Sequence, residues 1–127
     1  MDSDYKEALI GLLHELAALN HAELQARFDQ GCFAKMQDLV RQCVKGGDVP
    51  THLTKSEFSD WVYALRSNER EWSRSFGETI LAAEDLASSG EVLSAISTFE
   101  SFIELCPWLQ LIEIAHSEIL RLEQGRD

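Results

Sequence analysis

Apolar residues return at steps of three and four along most of the chain, and the alternating pattern of a strand is nearly absent, so the sequence predicts an all-α fold. Tyr5, Leu9, Leu12, Leu13, Leu16 and Leu19 trace the inner face of a first helix, opened by Ser3 or Asp4 as N-cap and ended at Asn20. Asn20 also caps the next stretch, where Glu23 stands three residues on and Leu24 and Phe28 point inward. Gly31 is expected to interrupt that helix. Phe33, Met36, Leu39, Val40 and Cys43 then carry a stripe up to Lys45, whose charge suits a helix C-terminus.

Gly46-Gly47-Asp48-Val49-Pro50 is the strongest loop signal in the chain. Beyond it, Thr54-Lys55-Ser56-Glu57 has the spacing of a capping box, followed by the inner positions Phe58, Trp61, Val62 and Leu65. Ser67 or Asn68 is expected to cap a fresh helix with Trp72, Phe76, Ile80, Ala83 and Ala87 inward, closed by Ser88-Ser89-Gly90. Val92, Ile96, Phe99 and Ile103 mark another helix, stopped by Pro107. The last helix runs from Trp108 to about Gln124, with Ile112, Ala115, Ile119 and Leu122 inward and Gly125 beyond. The expected architecture is a single-domain bundle of six or seven mostly antiparallel helices: N-terminal helices over 1–45, a loop over 46–53 and C-terminal helices over 54–127.

Composition narrows the function. The chain has 127 residues, with 22 acidic against 11 basic side chains and a net charge of −11, which opposes attraction to nucleic-acid phosphates or anionic lipid. Residues 78–127 carry ten acidic and two basic side chains, so −8 of the charge lies there. A cationic protein surface would prefer that half. No apolar run reaches the roughly 18 residues a membrane span needs, and the acidic start Met1-Asp2-Ser3-Asp4 is unlike a secretory signal, so a cytosolic location is expected. Cys32, Cys43 and Cys106 are odd in number and unpaired in spacing, which favours buried thiols over disulfides or a thiolate metal site.

Candidate chemistry is sparse. His14, His21 and His52 stand in no recognisable nucleophile motif. Glu113 and His116 have the spacing of one arm of a helical di-metal site, but no second Glu-x-x-His exists, so no metal is expected. Gly46-Gly47 is followed by no phosphate-binding lysine, and no nucleotide cofactor is expected. Arg66, Arg70 and Arg74 recur every fourth residue, and pairing with Glu69, Glu71 or Glu78 is the expected fate of that stripe. The sequence thus points away from an enzyme.

The stretch Gly90-Glu91-Val92-Leu93-Ser94-Ala95-Ile96-Ser97-Thr98-Phe99 through Leu105-Cys106-Pro107 resembles the second half of a tetratricopeptide repeat. Gly sits in the turn, Ala95 lets helices approach, Phe99 fills the groove and Pro closes the unit. Ala83 matches the small position of the preceding helix, while Thr79 stands where that repeat has a large aromatic. One unit is visible, over residues 76 to 107, so the resemblance implies a hairpin and no array. A second resemblance covers the last fifty residues: Phe102-Ile103-Glu104-Leu105-Cys106-Pro107-Trp108, Ile114-Ala115-His116 and Glu118-Ile119-Leu120-Arg121-Leu122-Glu123 are similar to the C-terminal end of small helical immunity proteins of bacterial toxin systems, including contact-dependent growth inhibition. That family implies a cytosolic inhibitor occupying a cognate toxin domain.

Glu100 and Glu104 are four apart on one helix and repel by a few tenths of a kcal/mol, with Glu113, Glu118 and Glu123 on the next helix. Folding gains nothing from that arrangement, which is read either as a solvated face kept soluble by like charge or as a docking surface for a basic protein. The expected contact residues are Glu84, Asp85, Glu100, Glu104 and Glu113, with Trp108 beside Pro107 read either as a partly exposed anchor or as a core residue. The first expectation is therefore a monomeric immunity protein for a toxin, a basic nuclease suiting the charge. The alternative is a tetratricopeptide-like adaptor or secretion chaperone holding a client segment.

Overall fold

Three of the helix starts in this chain are set by side-chain oxygens that satisfy otherwise free amides. A computed structural model describes residues 2–125, with side chains from Asp4 onward. It contains six helices, α1 (Asp2–Ala17), α2 (His21–Ala26), α3 (Gln30–Cys43), α4 (Lys55–Ser88), α5 (Val92–Leu105) and α6 (Leu109–Gln124), and no strand among the described residues. Asn20 Oδ1 accepts from the Glu23 amide at 2.8 Å while the Asn20 amide donates to Glu23 Oε1 at 3.1 Å, which is the expected capping box. The Thr54 and Glu57 pair does the same at α4, with bonds of 3.1 and 2.9 Å. Those bonds hold the Glu57 carboxyl below its ordinary pKa, because they favour its charged form.

Several boundaries differ from expectation. α1 begins at Asp2, so Ser3 and Asp4 lie inside it and neither is its cap. α2 stops at Ala26, before Gly31: Asp29 caps α3 by accepting from the Cys32 amide, which places Gly31 within the first turn of α3. Ser67 and Asn68 start nothing, because α4 is one helix of 34 residues. That merger makes the total six, not seven.

The chain forms two compact units, Met1–Glu69 and Arg70–Asp127. The boundary falls inside α4. In the first unit the buried side chains include Leu9, Leu13, Leu16, Leu24, Met36, Leu39, Val40, Cys43, Phe58 and Val62. Each large aliphatic among them contributes about 1.5–3 kcal/mol by leaving water. Phe28, Phe33, Phe58 and Trp61 form an aromatic cluster with mostly edge-to-face contacts. Tyr5, expected inward, is 44% exposed and donates to Asp38 Oδ2 at 2.6 Å.

In the second unit α4 and α5 form an antiparallel hairpin, as the ring contacts Trp72–Phe102 and Phe76–Phe99 require. Ala83 and Ala95 are buried, and so is Phe99. Gly90 turns the chain at φ +83°, a left-handed conformation that a Cβ disfavours. No helix among the described residues is long and apolar enough to cross a membrane.

Two glycines should respond to alanine with opposite signs. Gly90→Ala should destabilise by about 1 kcal/mol through its positive φ, although nothing crowds the new methyl. Gly77→Ala, within α4 with equal space, should stabilise by about 0.5–1 kcal/mol. Urea denaturation midpoints of the two variants test the assignment.

Candidate functional site

The acidic residues of the two units do different work. In the first unit Glu23, Asp29 and Glu57 cap helices, Asp38 accepts from Tyr5 and Arg41, Glu15 lies 3.6 Å from Arg27 and Glu69 is bonded inside the fold, while Asp4, Glu7, Asp48 and Asp60 are exposed without a side-chain partner among the described residues. In the second unit Glu118 accepts from Nε and Nη2 of Arg121 at 2.9 and 2.6 Å. Glu71, Glu78, Glu84, Asp85, Glu91, Glu100, Glu104, Glu113 and Glu123 are all exposed there and form no ion pair with a described residue. The second unit holds eleven acidic and four basic residues, a net charge of −7.

The expected contact residues separate into groups. Glu100 and Glu104 lie one turn apart on the outward face of α5, beside exposed Leu93 and Ser97. Asp85 and Glu113 are exposed on α4 and α6. Glu84 borders a cleft walled by Ile80, Ala83, Ala87, Phe99 and Leu122, with Arg121 on its rim. Trp108 is 1% exposed, so of its two readings the core one holds and the partly exposed anchor is corrected. Trp61 and Trp72, expected in the core, are half-buried instead. The order of the three tryptophans is inverted because Trp108, as the N-cap residue of α6 just after Pro107, is folded inward with Cys106.

A second groove runs between α4 and α5. Its walls are Trp72, Ser75 and Thr79 on one helix and Thr98, Ser101, Phe102 and Leu105 on the other. Leu105 is 72% exposed, the highest value among the large exposed hydrophobic side chains. No residue of this groove was singled out in the sequence as a contact. The combination of an outward Leu105 with serines and threonines along two adjacent helix faces was the available signal.

The sequence marked Glu69 as a partner for the arginine stripe but not as a buried position. It is 2% exposed, and its Oε1 is 2.8 Å from both His14 Nε2 and Arg66 Nη1. Arg66 therefore pairs as expected, whereas Arg70 and Arg74 are exposed and pair with no described residue. His21 Nδ1 stands 3.4 Å from the buried Ser59 hydroxyl, which donates its proton to the Ser56 carbonyl at 2.9 Å. That hydroxyl is a structural donor, with the imidazole on its acceptor side. The Cys32 thiol is held above its ordinary pKa by burial and by nearby Asp29, which lowers its nucleophilicity at neutral pH. Cys43 and Cys106 are buried, as expected, and Cys32 is half-buried. Among the described residues no three His, Cys, Asp or Glu side chains come together as metal ligands would.

Comparison of the chain with protein-family models, curated proteins and solved structures finds no match.

The role of Glu69 is open to a direct check. Glu69→Ala removes an acceptor of two charge-assisted bonds and should cost about 2 kcal/mol, the half-exposed His14 and Arg66 recovering part of the loss from water. Glu69→Gln should cost less than half of that in the same urea titration, since the amide oxygen still accepts.

Proposed function

We propose that the chain is a binder of a basic protein, docking through the acidic exterior of its second unit. The observation that carries this reading is the contrast in charge use. Six of the ten acidic side chains described in the first unit cap helices or meet a hydrogen-bonding or cationic partner, whereas in the second unit Glu118 alone of ten does and the other nine stand in water. Like charges one turn apart, as at Glu100 and Glu104, oppose folding slightly. A positive partner surface turns that cost into attraction, speeds encounter and fixes orientation.

The resemblance of the last fifty residues to small helical immunity proteins supplies the biological setting. In this reading the chain is a cytosolic inhibitor without catalytic chemistry of its own, acting as a monomer on a cognate toxin domain. A basic nuclease fits the charge. Glu84, Asp85, Glu100, Glu104 and Glu113 make the first electrostatic contacts. Trp108 contributes by holding the start of α6 in place, as its burial requires. The adaptor alternative draws its support from the α4–α5 groove, which suits a client segment better than a broad charged face does.

Reversing both charges in a Glu100→Lys and Glu104→Lys double variant should leave helical circular dichroism unchanged, because both side chains are exposed. Association with the toxin recovered by copurification from the native cell should slow by roughly tenfold at low salt. Cells producing that toxin should lose the protection the unaltered chain gives them. Unchanged association would leave the acidic exterior as a solubility device and end the proposal.

A further inference from the structure

The α4–α5 groove has a chemical character that the surrounding charge does not by itself explain. Thr79 Oγ1 donates to the Ser75 carbonyl and Thr98 Oγ1 to the Ser94 carbonyl, each at 2.9 Å. Both hydroxyl protons are thus engaged within the helices, and lone pairs remain for a ligand. Ser75 and Ser101 add hydroxyls whose side chains have no described partner. The lining is rich in acceptors.

Two hydrophobic features stand in the same groove. Trp72 is half-buried and meets Phe102 in an edge contact, with ring centroids 5.8 Å apart and planes at 74°. The indole face is the strongest π partner for a cation. Leu105 lies at the mouth, largely in water, where an apolar neighbour would cover it.

Charge completes the description. Glu71 and Glu78 lie four before and three after Ser75, hence on its face of α4. Both are exposed and unpaired among the described residues. Arg74, next to Ser75, is turned about 100° around the helix from it. A ligand suited to this groove is therefore cationic, planar and rich in donors, which describes a guanidinium and fits an ammonium less well.

We propose that the α4–α5 groove seats an arginine-bearing segment of the protein partner, its guanidinium stacked on Trp72 among the Ser75, Thr79, Thr98 and Ser101 oxygens, and an apolar neighbour against Leu105. The proposal rests on the protein-binding reading but names a different surface from the outward face of Glu100. Charge on that face governs the speed of encounter, while the groove selects the side chain.

The test uses the full chain labelled with nitrogen-15 at low salt, titrated with the blocked peptide acetyl-Leu-Arg-Leu-Arg-Leu-amide and with its citrulline counterpart, which keeps the shape and removes the charge. The indole N–H resonance of Trp72 should shift saturably with the arginine peptide while that of buried Trp108 stays fixed. Citrulline should weaken binding by at least about fivefold. Leu105→Ser, which leaves the exposed position folded by circular dichroism, should weaken it by about threefold or more. A still Trp72 resonance, equal affinity for both peptides, or indifference to Leu105→Ser overturns the proposal. So does dimerisation of the free chain that Leu105→Ser abolishes, since a second copy would then be the occupant. Arginine binding that shifts residues around Glu100 but not Trp72 sinks the groove alone. Conversely, a responsive Trp72 with unchanged toxin association in the double lysine variant sinks the acidic-exterior reading alone.

Discussion

The fold depends on keeping one face of α4 out of water through 34 residues. Phe58, Val62, Leu65, Glu69, Trp72, Phe76, Thr79, Ala83 and Leu86 fall at alternating steps of four and three, the repeat that holds a stripe on one side of a helix. Each is buried or half-buried. Seven of the nine are hydrophobic, and the other two satisfy their polar atoms: Thr79 by donating to the Ser75 carbonyl, Glu69 with His14 and Arg66. A carboxylate can occupy a core position only when its oxygens are hydrogen-bonded and its charge is met, since an unpaired buried ion costs several kcal/mol. Glu69 meets that condition where the first compact unit ends.

This arrangement accounts for what the sequence shows and what it conceals. The two capping boxes were legible because a cap is a local device, needing only a side-chain oxygen and a glutamate three residues later. The inner faces of α3, α5 and α6 were legible for the same reason, their apolar spacing being short-range. Ser67 and Asn68 misled because they are good caps in isolation. Starting a helix there would require the chain to leave helical geometry, breaking backbone bonds and displacing the stripe on either side. The weak preference of those two residues, a few tenths of a kcal/mol each, loses to that. An apolar-only pattern also halts at Glu69, and the continuity of α4 appears only when Glu69 is allowed as an inward position.

Exposure was the least legible property. Tyr5 stands at a plausible inward spacing yet lies mostly in water, bonded to Asp38, which belongs to another helix. Trp108 stands beside a proline at a helix start, a place that suggests exposure, yet it is buried. Local spacing places a residue on a helix face, but only the neighbouring elements decide which face is covered. The acidic residues were read correctly as exposed because charge imposes that outcome wherever no counter-charge arrives. Their separation onto distinct faces of α4, α5 and α6 is a tertiary fact with no local signature.

Charge and shape then act on recognition at different ranges. An unpaired carboxylate in water attracts a cation over about 8 Å at physiological ionic strength, and many proteins carry enough basic residues to respond. Such attraction accelerates encounter without choosing the partner. Choice requires contacts that a wrong partner leaves unmade, because an uncovered apolar side chain or an unsatisfied polar group then counts against binding. Glu100 and Glu104, free on the outside of α5, suit the first task. Trp72, Leu105 and the threonine oxygens between α4 and α5 suit the second, since each rewards a particular shape and donor pattern. The same hairpin provides both, because the buried contacts of Phe76, Ala83, Ala95 and Phe99 hold α4 and α5 together with their outer faces free.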